Sequence, residues 1–221
     1  MKSLITVFLL ICFFNLTFSQ QSKVGSWFIY FGNQKINEKL NWHNEIQYRN
    51  YNIINDRNQL LLRTGIGLNL TQNNNNILLG FAFIESQNYT PNTNEKLYSK
   101  ENRIFQQFIT KQNFGRIFLQ HRYRIEQRFI NDDFKIRFRY FLGLNVPLNN
   151  KLMAENTIYL SVSNEIFINK ELPMYDRNRL YGAIGYLINK YLKVEAGFMN
   201  QTLEKSNRNQ FQLVIFNNLP F

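Results

Sequence analysis

The chain has 221 residues, with 26 lysines and arginines against 15 acids, a net charge of +11 and a slightly polar mean hydropathy of −0.35. A single cysteine excludes an internal disulfide framework and a thiolate metal centre. Two histidines and scattered acids show no ligand spacing, so no metal and no cofactor are expected.

Residues 1–19 read as a secretory signal. Lys2 supplies the charged start, 4–16 the apolar core, and Thr17-Phe18-Ser19 a cleavage site before Gln20. Cys12 lies inside that segment, so the mature chain, 20–221, is expected to be one domain without thiol chemistry. No mature stretch reaches the roughly 18 apolar residues of a membrane helix. Instead, segments of alternating character follow one another at 27–31, 40–48, 60–70, 77–87, 101–111, 116–129, 134–146, 157–168, 177–188, 192–201 and 208–217, separated by Asn-rich turns.

The clearest alternation runs from 116 to 146. Ile117, Leu119, Tyr123, Ile125 and Phe129 share one parity, while Arg116, Gln120, Arg122, Arg124, Glu126 and Arg128 share the other. Next, Phe134, Ile136, Phe138, Tyr140, Leu142, Leu144 and Val146 oppose Lys135, Arg137, Arg139 and Asn145. A period of two is a β-strand with two distinct faces. The runs exceed the usual soluble strand of about 5–6 residues and match the roughly 9–11 that cross a bilayer at a tilt. A β-sandwich packs its inner faces together and has no place there for Arg122, Arg124, Arg137 and Arg139. The expected fold is therefore all-β: an antiparallel transmembrane β-barrel of 10–12 strands after a signal peptide, with outer-membrane lipid outside and a wet, charged lumen inside. Twenty-one phenylalanines and twelve tyrosines suit an aromatic girdle. Eleven segments conflict with the even count of such bacterial barrels, so ten or twelve crossings are expected. The connection 88–100 is the longest and is assigned to the outside, with the short turns 112–115 and 189–191 in the periplasm. The terminal aromatic Phe221, after a final alternating strand, fits recognition by the barrel assembly machinery.

Several short patterns resemble those of the family known as domain of unknown function 2490. They are Glu101-x-Arg103-x-Phe105-Gln106-Gln107, Arg122-x-Arg124-x-Glu126-Gln127-Arg128, Arg137-x-Arg139-Tyr140, Glu165-x-Phe167-x-Asn169 and Asp176-x-Asn178-Arg179, with Gly197-Phe198, Gln201 and Trp27. The likeness covers essentially the whole mature chain and departs at Phe105, where tryptophan is expected. It implies a bacterial outer-membrane protein and lends no catalytic residue.

The candidate site is a cationic ladder inside the barrel, formed by Arg103, Arg122, Arg124, Arg128, Arg137, Arg139, Arg177 and Arg179, with Glu101, Glu126 and Glu165 as acidic partners. Neighbouring strands lie about 4.8 Å apart, so these groups can pair across the sheet. One reading is a narrow anion-preferring channel or small-ligand barrel taking a small anionic solute. The other is a salt-bridged, plugged lumen in a structural or partner-binding protein that uses the 88–100 connection. An export signal and strand-wise cations argue against nucleic acid. Catalysis is not expected. His121 shares the apolar parity of Leu119, and His43 lies near Glu45, but Ser161 and Ser163 carry no nucleophile motif. A lipid hydrolase remains the lesser alternative.

Overall fold

The structure is a computed structural model describing residues 24–71, 74–90 and 93–219. Eleven strands follow in chain order: β1 (Gly25–Lys35), β2 (Leu40–Asn50), β3 (Arg57–Asn69), β4 (Asn75–Tyr89), β5 (Lys96–Phe114), β6 (Ile117–Ile130), β7 (Asp133–Pro147), β8 (Thr157–Asn169), β9 (Tyr175–Leu187), β10 (Leu192–Thr202) and β11 (Asn207–Asn217). They form one closed barrel, with no helix among the described residues. The signal segment 1–19 and Phe221 lie outside the described residues.

Each alternating segment becomes a strand because its apolar parity covers one face and its polar parity the other. The connections use residues that tolerate a left-handed backbone. Asn55, Asp56, Asn131, Asn156 and Gly115 all have positive φ, and all lie in or beside a turn.

Two expectations need correction. The strand count is eleven, within the expected 10–12 but odd instead of even, because 27–31 belongs to a full strand. An all-antiparallel ring needs an even number. Here β1 and β11 instead pair parallel, from Gly25 opposite Gln210 to Gly32 opposite Asn217, and one parallel seam removes the constraint. The connection 88–100 is also not the longest. Residues 85–89 and 96–100 pair with each other as extensions of β4 and β5, leaving 90–95 as the loop. The nine residues 148–156 between β7 and β8 form a longer one, at the opposite rim. Loop length therefore does not distinguish the two ends.

The outer wall carries most of the large exposed apolar residues, among them Leu79 (60% exposed), Leu180 (55%) and Phe198 (61%). The interior is charged as expected, but not uniformly. Trp27, Ile29, Met199 and Val214 pack together inside β1, β10 and β11, with Phe31, Tyr181 and Phe216 against them. Leu61, Ala82 and Ile84 form a second apolar group inside β3 and β4. The inner faces of β5–β9 carry most of the charge.

Candidate functional site

The interior arginines are held by register. Across β6 and β7, Glu126 stands directly opposite Arg137, and Arg124 opposite Arg139. Glu126 is fully buried at the centre of the network. Arg137 donates to its Oε2 through Nε and Nη2 at 3.0 and 2.6 Å. Arg139 donates Nη1 to its Oε1 at 2.6 Å. Arg124 and Arg103 approach the same carboxylate at 3.7 and 3.8 Å. Such charge-assisted, forked pairs are the strong form of hydrogen bond.

Two further carboxylates extend the network. Glu165 accepts from Arg139 Nε and Nη2 at 3.1 and 2.7 Å and from Arg122 Nη2 at 2.9 Å. Glu101 is gripped twice, by Arg103 at 2.6 and 2.8 Å and by Arg128 at 2.5 and 3.1 Å, each through Nε and Nη2. Seven of the eight ladder arginines thus reach a carboxylate: six meet these three glutamates, and Arg177 meets Asp176. Arg179 meets none among the described residues. It donates Nε to Gln201 at 2.9 Å and lies over the rings of Trp27 and Phe167.

Several inward groups lie outside the predicted ladder, Glu45 among them although its place beside His43 is legible in the sequence. Glu45 on β2 takes Arg63 and lies 3.4 Å from His43 Nε2. Arg49 lies 3.8 Å above the Trp27 ring and donates Nη1 to Gln59 at 2.5 Å. On β2, Glu45 and Arg49 share the parity opposite to Trp42, Ile46 and Tyr48, whereas Arg63 follows a run of three leucines and parity alone does not mark it. Asp176 is a different case. Arg177 pairs with Phe167 and Tyr175 with Ile168, so Asp176 is the extra residue of a β-bulge. The bulge turns its carboxylate to Arg137 Nη1 at 2.8 Å and to Arg177 at 3.1 Å. No local pattern announces a bulge.

Aromatic rings complete the filling. Phe167 lies under four guanidinium groups, those of Arg137, Arg139, Arg177 and Arg179, at 5.2, 4.4, 5.8 and 4.6 Å. Phe105 serves Arg63 and Arg124 at 5.3 and 4.8 Å. A ring face attracts a cation while excluding water, so these contacts favour burial of the charged groups they touch. Nearer the other rim, Glu195 accepts from Tyr159 and Tyr181 hydroxyls at 2.9 and 3.3 Å.

Every strand contributes a buried inward side chain: Trp27, Glu45, Leu61, Ala82, Phe105, Glu126, Arg137, Phe167, Ala183, Met199 and Val214, in order from β1 to β11. Each strand thus has at least one buried side chain on its inner face. His43 sits inside β2, while Ser161 and Ser163 stand across the barrel on β8. His121 is on the outer wall, its Nδ1 2.9 Å from the Tyr140 hydroxyl.

No curated protein and no solved structure shows a significant match to the chain. The family described as Protein of unknown function (DUF2490) matches residues 24–212, from the residue before β1 into β11, and the chain belongs to that family.

Proposed function

We propose that this chain is a bacterial outer-membrane barrel with a sealed lumen, serving a structural or partner-binding role instead of conduction. The observation that carries the reading is the complete set of buried inward side chains, one from each strand, centred on Glu126 between Arg137 and Arg139. An anion filter needs guanidinium groups facing water. Here they face carboxylates, amides and rings. Small barrels are filled by their own side chains, and eleven strands lie nearer the eight of a filled barrel than the sixteen of a porin.

The outer wall supports the membrane setting, since a soluble protein rarely exposes apolar surface on this scale. The signal segment and the aromatic C-terminus fit export and delivery by the assembly machinery. For a partner, the β4–β5 hairpin offers the clearest surface. Lys96–Lys100 pair only with β4 and stand beyond β6, with Leu97 and Tyr98 exposed at 69% and 65%.

The test is conductance of the refolded, signal-free protein in a planar bilayer. A heat-modifiable, inserted barrel without steady current is expected. A steady anion-selective current would overturn the sealed lumen. Cell fractionation tests the location, and recovery in a soluble fraction would overturn it.

A further inference from the structure

The outer wall is not uniform. A groove of about 820 Å³ crosses it over β3–β8, and strand register explains its shape. One bank is a row of direct cross-strand neighbours, Leu68, Ile77, Phe108, Tyr123, Tyr140 and Ile166. The other bank lies two residues along each strand and runs from Ile66 through Gln106 to Ile168. Between them, the floor is the chain at Leu78, Gln107, Arg124 and Arg139, whose side chains belong to the interior. The arginine network therefore backs the groove, and the two-residue repeat of each strand sets the spacing of its banks.

Its dimensions select an occupant. Five interstrand steps of about 4.8 Å make the groove roughly 24 Å long. A row perpendicular to strands tilted by about 35–45° is itself oblique, so it rises roughly 15 Å through a bilayer, half of a hydrocarbon core of about 30 Å. The lining is almost wholly apolar. Gln106, midway along, accepts a hydrogen bond from Gln127 at 3.0 Å. We infer that this groove holds one acyl chain of a single membrane lipid along its length, as a retained ligand distinct from the lipid that bathes the rest of the wall. The inference rests on the membrane setting proposed above and is independent of whether the lumen conducts.

The test uses the full mature barrel folded into vesicles of phospholipid brominated in its acyl chains, which quench tryptophan on contact. Phe138→Trp places the probe on a bank of the groove. Leu142→Trp places it on the outer face of the same strand, outside the groove. After exchange into excess detergent, Phe138→Trp is expected to stay quenched, with release about tenfold slower than at Leu142→Trp, since retention differences appear mainly in off-rates. One phospholipid per barrel should remain on mass analysis. Gln106→Trp, which fills the midpoint, should abolish that retention. Equal recovery at both positions overturns the inference and leaves the membrane reading intact. A doubled mass without retained lipid also overturns it, because a second copy would then cover the groove. Failure to insert into any vesicle removes the membrane reading and the groove's ligand with it.

Discussion

Phe105 stands directly across the sheet from Gly80, and its ring fills the space that a Cβ at position 80 would need. A methyl group there would lie 2.3 Å from Phe105 Cζ and 2.6 Å from the Thr64 carbonyl oxygen. The same relationship recurs between β8 and β9, where the Tyr159 ring covers Gly185. A glycine opposite an aromatic lets the ring lie flat on the inner wall, which is how a narrow barrel accommodates large side chains.

Gly80→Ala should therefore destabilise the barrel by about 1–3 kcal/mol, the usual cost of overpacking. Gly182→Ala is the control, since a Cβ at 182 meets nothing within 4 Å. Urea unfolding of vesicle-inserted protein, followed by the heat-modifiable band, checks both. Equal midpoints for the two variants would refute the packing account.

Removing the charge of Glu126 leaves Arg137 to Asp176 and Arg139 to Glu165, and takes from both the buried carboxylate they share. Glu126→Gln should cost about 3–5 kcal/mol, as expected for one half of a buried pair. Asp56, at the rim, takes Lys96 at 2.6 Å and the Tyr89 hydroxyl at 3.0 Å. Asp56→Asn should lose less than about 1 kcal/mol, because pairs near solvent are screened. The contrast in unfolding midpoints is the readout.

Phe167→Leu keeps an apolar side chain but removes the ring face shared by four guanidinium groups. A loss of about 2 kcal/mol or more is expected, since desolvated cation–π contacts exceed the exposed kind. Phe134→Leu on the outer wall, where the ring is 54% exposed, should change the unfolding midpoint little.

Tyr159→Phe deletes the 2.9 Å hydrogen bond to Glu195 and leaves that buried carboxylate to Tyr181 and to Lys193 Nζ at 3.7 Å. The expected cost is about 1.5–3 kcal/mol, typical of a hydrogen bond to a charged group. Additional loss of Tyr181 as Tyr181→Phe should exceed the sum of the single changes, because Glu195 then keeps only the lysine.

Much of this architecture is legible in the alternation alone. Parity assigns Arg122, Arg124, Glu126, Arg137 and Arg139 to one face, and the folded barrel turns that face inward. Parity also speaks for Phe105, which alternates with Arg103 and Gln107, and for Phe167, two residues from Glu165. An aromatic count suggests an outer girdle, and that composition draws attention away from the inward rings. What alternation cannot supply is register. Whether Arg139 meets Glu126, Glu165 or both depends on how three strands slide past one another. The bulge at Asp176 is set by the same long-range fit. The parallel seam was hidden for a related reason, since local pattern describes a strand and not the direction of its neighbour.

That seam has a topological consequence. With eleven strands, the polypeptide enters at the rim of Gly25 and leaves at the rim of Asn217, on the other side of the wall. In a bilayer Gly25 and Asn217 would then face different compartments, so a protease or antibody confined to one side would reach only one of these strand ends. In the membrane setting proposed above, insertion could not proceed by hairpins alone. Ten strands can enter as five hairpins with every turn tucked on its own side. The eleventh would then have to cross without a hairpin partner before the ring can close.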